Sequence, residues 1–159
     1  MNIYKNFLDK KDFEKLKDKI MGQYMPWYFN DGVISWDDKK YFQFTFLFLN
    51  NSKKNCIDEH FNILEPILHK IKYKKLNRIK ANLLTQDNNI TEHGMHADQD
   101  KGTTGIFYLN TCNGYTKFET GKKVFSEENK YVEFNSTLKH TGSTCTDEKR
   151  RVVINFNYL

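Results

Sequence analysis

Cysteine is scarce in this chain: Cys56, Cys112 and Cys145 are the only three among 159 residues. They are odd in number and widely spaced, and no CxxC pair occurs, which argues against a closed zinc site. No stretch approaches the roughly 20 apolar residues of a membrane span, and the opening Met1-Asn2-Ile3-Tyr4-Lys5 has no apolar signal region. A cytoplasmic protein with reduced thiols is the expectation. Low-complexity linkers and internal repeats are also missing, so the length and the 19.0 kDa mass fit one domain.

Aromatic residues, by contrast, are plentiful. Thirteen Phe and nine Tyr raise the aromatic share to 15%, a bulky and strand-compatible core supply. A chain of this size buries roughly 68–70% of its unfolded surface, enough for a core without covalent staples. The mean hydropathy of −0.75 describes a polar surface, and the net charge is +5. A basic surface attracts acidic partners such as nucleic acid. That partner is the less favoured expectation here, because the lysines are scattered and often sit beside Asp or Glu.

Hydrophobic periodicity divides the chain into a helical first half and a strand-rich second. Asp9 is placed to cap a helix in which Phe13, Leu16 and Ile20 form one apolar stripe, with Leu8 and Phe13 at the positions of a hydrophobic staple and Gly22 as the stop. Residues 41–49 change period: Phe42, Phe44, Phe46 and Phe48 alternate with Tyr41, Gln43, Thr45 and Leu47. A second helical stretch covers 56–71, with Phe61, Leu64, Leu68 and Ile71 on its apolar side and a break or restart at Pro66. Strands are predicted over 78–84, 103–109, 115–119, 131–134 and 151–158, with Asn113-Gly114 as a type I′ hairpin signal between two of them. The pattern implies an α+β domain: residues 1–77 mainly helical support plus a strand, residues 78–159 an all-β sandwich or barrel.

Chemistry concentrates at His93-Gly94-Met95-His96-Ala97-Asp98. On an extended backbone His96 and Asp98 project from one face, where an imidazole and a carboxylate can take adjacent positions on a metal. His140 is available as a third ligand, and two His with one carboxylate leave positions open on an iron. Alone the motif is weak, since five His and 20 acidic residues in 159 positions give about 0.6 His-x-acid pairs by chance. His93 reads as a neighbour of the ligands or a solvated residue. The last strand strengthens the case: Val152, Ile154 and Phe156 alternate with Arg151, Val153, Asn155 and Asn157. Its polar face can line a cavity, where Arg151 would offer a guanidinium fork to a ligand carboxylate.

In this order, His96-x-Asp98, Ile106-Phe107-Tyr108-Leu109-Asn110, His140 and Arg151-Val152-Val153-Ile154-Asn155-Phe156, the sequence resembles the iron(II)/2-oxoglutarate oxygenase superfamily. More closely it is similar to the small prolyl-4-hydroxylase-like members of bacterial and phage type. The resemblance covers about 78–159. It implies a double-stranded β-helix, or jelly-roll, core with supporting N-terminal helices. It also implies a dioxygenase that uses Fe(II), 2-oxoglutarate and O2 to hydroxylate or oxidatively demethylate a substrate. His96, Asp98 and His140 would be the metal ligands. Arg151 would bind the cosubstrate carboxylate, with Arg150 its rival by spacing, and Tyr108 and Asn157 would assist. Strand parity favours Arg151, since Arg150 would share a face with Val152 and Ile154. Cys112 and Cys145 fall in loops near the site as packing or solvent thiols. Trp27, Tyr28, Trp36 and the loop 86–92 could border its mouth. A small-molecule or peptide substrate is expected, and the sequence leaves oligomeric state open. The competing readings are a non-catalytic jelly-roll binding module and a basic nucleic-acid-binding protein.

Overall fold

The computed structural model describes residues 1–34 and 40–159. In chain order its elements are β1 (Asn2–Tyr4), α1 (Lys10–Met21), β2 (Tyr28–Asn30), β3 (Gln43–Asn50), β4 (Lys53–Lys54), α2 (Asp58–Asn62) and α3 (Glu65–Leu68). There follow β5 (Leu76–Thr85), β6 (Thr103–Tyr108), β7 (Tyr115–Phe118), β8 (Lys123–Phe125), β9 (Lys130–Asn135), β10 (His140–Gly142) and β11 (Arg150–Tyr158). Asp9 caps α1 by accepting the Asp12 N–H at 3.0 Å, and Leu8 is buried with Phe13 as the staple pattern implies. Pro66 opens α3, where its missing N–H costs nothing, so the predicted helical stretch becomes two short helices.

Two antiparallel layers build the domain. The larger sheet runs β1-β9-β6-β11-β5-β3-β2, with β4 paired to β3; the smaller runs β10-β7-β8. Bridges from Glu92 to Ser143 and from His96 to His140 add the 92–96 segment along β10. This is the jelly-roll expected for the second half. The first half adds β1 to β4 to the larger sheet, together with three helices. The short strands β1, β2, β4, β8 and β10 carry too few residues to show a period, so the sequence does not announce them.

The larger sheet has two differently used faces. Val152, Ile154 and Phe156 of β11 join Ile79, Ala81, Phe46, Phe48 and Phe107 in the main core, under Leu16, Ile20, Leu64 and Ile67 from the helices. The opposite face points between the layers, where Ile106, Tyr108, Val132, Phe134 and Val153 pack on Phe118 and Val124. Alternation in β3 follows the same division, with Gln43 and Thr45 buried on the inner side. It departs from the predicted pattern at its ends: Phe42 is exposed and lies before the strand, and a register shift between Leu47 and Leu49 buries Leu49 beside Phe48.

The Asn113-Gly114 hairpin does not form. β6 pairs with β9 and β11, while β7 belongs to the other sheet, so the connection crosses between layers. Neither residue has a positive φ. Glycine is needed at 114 for space: a Cβ there would meet Arg151 Cδ and the Thr144 carbonyl, each at 2.7 Å. No helix among the described residues is long and apolar enough to cross a membrane.

Truncating either side of the helix–sheet core, Leu16→Ala or Ile154→Ala, is expected to cost about 2–5 kcal/mol in urea unfolding. Exposed Lys122→Ala should stay within about 0.5 kcal/mol.

Candidate metal centre

His96, Asp98 and His140 come together at the mouth of the space between the two layers. One nitrogen from each imidazole and one carboxylate oxygen lie within 4.8 Å of one another. The segment carrying His96 and Asp98 is not a regular strand. It is held by backbone exchange: the His96 N–H donates to the His140 carbonyl at 3.0 Å, the His140 N–H returns the bond at 2.9 Å, and the Asp98 N–H donates to Ser136. A single antiparallel bridge thus sets the distance between the two histidines.

Each ring is oriented by its own backbone. His96 Nδ1 lies 3.2 Å from the Gly94 carbonyl, and His140 Nδ1 lies 3.2 Å from the Leu138 carbonyl. A carbonyl accepts only from an N–H, so Nδ1 carries the hydrogen and Nε2 keeps its lone pair. The Nε2 atoms face Asp98, at 4.0 Å from its Oδ1 for His96 and 3.7 Å from its Oδ2 for His140. Burial holds the His140 pKa below the ordinary histidine value, against the pull of Asp98. The ring is therefore neutral and able to ligate at pH 7.

Asp98 is the most constrained of the three. Its carboxylate is only 2% exposed. Arg78 from β5 donates to Oδ1 at 2.8 Å; Thr104 from β6 and Asn157 from β11 donate to Oδ2 at 2.9 and 3.1 Å. Burial disfavours the charged form, but His140, Arg78 and the hydrogen bonds from Thr104 and Asn157 outweigh it and lower the pKa below its usual value. With one donor on Oδ1 and two on Oδ2, a lone pair remains on Oδ1. Arg78 was not singled out from the sequence. Its position on the inner face of β5, opposite Asn157, is the signal that would have identified it.

Behind the triad is a cavity of about 310 Å³, and the inner faces of β5 and β11 form its wall. Arg151 lines it and is 3% exposed. Its guanidinium donates to Ser126 Oγ at 2.7 Å, to Thr116 Oγ1 at 3.2 Å and to the Ser143 carbonyl at 3.4 Å. Among the described residues no carboxylate pairs with it. Arg150 points the opposite way, to the Met21 carbonyl at the end of α1. Tyr108 stops short of the cavity: its hydroxyl donates to Thr116 Oγ1 at 2.8 Å, and Arg151 lies 5.7 Å from its ring centroid. Tyr108 thus supports Thr116, which in turn bonds to Arg151. Asn157 serves Asp98 and Thr104 and does not line the cavity.

Lys80 and Asn155 line the cavity without having been singled out as site residues. His93 is buried and lines it too, edge-on to Tyr41. The proposed rim fares differently: Trp27 packs against the main core, Tyr28 stacks on Phe46, and residues 86–92 are not part of the lining. Val33, Ile34 and His93 lie there instead. Trp36 lies outside the described residues. Cys112 and Cys145 are buried near Arg151, and burial raises the Cys145 thiol to about 12, so it stays protonated.

No family model matches the sequence, and no curated protein matches it either. Solved structures do share the fold. A prolyl hydroxylase from Trichoplax adhaerens, in complex with a hypoxia inducible factor oxygen degradation domain peptide fragment, superposes with a TM-score of 0.66 at 14% identity, covering 99% of this chain and 82% of that one. A Pseudomonas putida prolyl-4-hydroxylase gives 0.60 at 12% identity over 99% and 92%. A 2OG-Fe(II) oxygenase family oxidoreductase from Burkholderia pseudomallei gives 0.58 at 12% identity, covering 74% of this chain and 66% of that one. The chain therefore has the jelly-roll fold of these oxygenases.

Alanine at His96, Asp98 or His140 is expected to abolish Mn(II) binding measured by calorimetry. Arg78→Met should weaken it roughly 10- to 100-fold through loss of carboxylate orientation.

Proposed function

We propose that the chain is an Fe(II)- and 2-oxoglutarate-dependent dioxygenase that hydroxylates or oxidatively demethylates a small-molecule or peptide substrate. One observation carries the reading: two Nε2 lone pairs and one carboxylate lone pair converge at one end of a cavity whose wall holds a buried Arg151 that pairs with no carboxylate among the described residues. This donor set suits iron: two neutral nitrogens and one anionic oxygen would hold the ion and leave its remaining positions open to the cavity. When bound, iron and the 2-oxo acid supply the oxidising chemistry, consuming O2, releasing succinate and carbon dioxide, and oxidising a substrate C–H bond.

The chain's own residues bind, orient and shield. Gly94 and Leu138 carbonyls fix the tautomer of each histidine, and Arg78, Thr104 and Asn157 fix the carboxylate. Arg151 gives the distal carboxylate of the cosubstrate two charge-assisted donors, its NH groups already aimed by Ser126 and Thr116. The apolar Leu84, Ile106 and Val153 line the same cavity between these polar groups. At about 310 Å³, roughly ten water volumes, the cavity accepts the cosubstrate and a small group of substrate.

The test is an anaerobic titration with Fe(II) and 2-oxoglutarate. A visible charge-transfer band should appear, and succinate should form when air is admitted. No band and no succinate would overturn the reading and leave a jelly-roll binding module. Arg151→Met is expected to raise the Kd for 2-oxoglutarate roughly 10- to 100-fold, as for a lost charge-assisted hydrogen bond, with Arg150→Met nearly unchanged.

A further inference from the structure

The cavity wall carries more positive charge than the metal ligands and the cosubstrate use. Arg78 is matched by Asp98, and Arg151 awaits the distal carboxylate of the 2-oxo acid. Lys80 is left over. It sits on the inner face of β5, half-buried, and no acidic side chain among the described residues lies within ion-pair distance of it. Directly across the ladder, Asn155 of β11 shares that face. The Asn155 amide oxygen is buried without a hydrogen-bond partner. Cross-strand neighbours stand about 5 Å apart at Cβ, so one small ligand can reach both.

A half-buried ammonium with no acidic partner among the described residues, beside a buried amide oxygen with no hydrogen bond, marks a place where a ligand can complete the bonding. Burial and the Arg78 charge pull the Lys80 pKa down to about 8, with Asp98 acting the other way, so the group stays mostly protonated at neutral pH. Position separates it from the cosubstrate's anchor. Asn155 lies four residues from Arg151 along β11, about 13 Å of strand, and only two residues, about 7 Å, from the metal-side Asn157. Lys80 thus stands nearer the Asp98 end of the wall, and Arg151 nearer the other end.

We propose that Lys80 and Asn155 form the recognition site for the substrate's own carboxylate and an adjacent N–H donor, so that the substrate is a free α-amino acid rather than an internal residue of a peptide. The carboxylate accepts from Lys80 Nζ and the α-amino group donates to Asn155 Oδ1. This assignment rests on the dioxygenase reading above and narrows its substrate class.

The experiment uses the full chain loaded with Zn(II) and N-oxalylglycine, an unreactive analogue of the 2-oxo acid. The twenty proteinogenic L-α-amino acids and their carboxamides are titrated in turn by saturation-transfer NMR. At least one free acid should bind, roughly 10- to 100-fold more tightly than its carboxamide. Lys80→Met should erase that preference, Lys80→Arg should retain most of it, and N-oxalylglycine affinity should stay within about twofold in both variants. Equal binding of acid and carboxamide, or no amino acid bound at all, overturns the proposal. So does weaker N-oxalylglycine binding in Lys80→Met, which would make Lys80 a cosubstrate ligand. The dioxygenase reading fails separately, by loss of Zn(II) or N-oxalylglycine binding in the unaltered chain.

Discussion

The buried carboxylate of Asp98 is the constraint on which the rest of this site depends. It belongs to an irregular segment, yet its oxygens are tied to three neighbouring strands of the larger sheet: Arg78 on β5, Thr104 on β6 and Asn157 on β11. A desolvated charge is stable only with such partners, so the segment has one low-energy position. His96 follows because it is two residues away, and His140 because its backbone pairs with that of His96. Placing one carboxylate therefore places all three side chains.

The same sheet solves a second problem, which is how a small domain keeps a polar cavity beside an apolar core. Alternation along β5 and β11 sends every second residue to the helices and the others inward. Helices α1, α2 and α3 seal one face, so the opposite face is free to carry Arg78, Lys80, Asn82, Arg151 and Asn155. Such charges inside a barrel would be destabilising without an aim. They are spaced along two paired strands, from Arg78 beside Asp98 to Arg151 at the far end.

Parts of this were legible in the sequence because they depend on local periodicity. The staple around Asp9, the alternation of β11 and the parity that separates Arg151 from Arg150 are all short-range patterns, and the structure places each as the pattern implies. Where long-range contacts decide, local signals fail. Asn113-Gly114 has turn chemistry, but Gly114 is set by the Arg151 side chain crossing over it. Aromatic Trp27 reads equally as rim or core until packing assigns it to the core.

By itself the sequence determined which side chains share a strand face and which residue types are present to hold a metal, since both follow from the fixed period of the backbone. Tertiary structure alone decided that His140 meets His96, that Arg78 rather than another cation steadies Asp98, and that Lys80 stands beside Asn155 with no acid among the described residues to match it. Those pairs are separated by tens of residues along the chain. Only strand register, set by how the two layers bury their apolar faces, brings them within reach of one another.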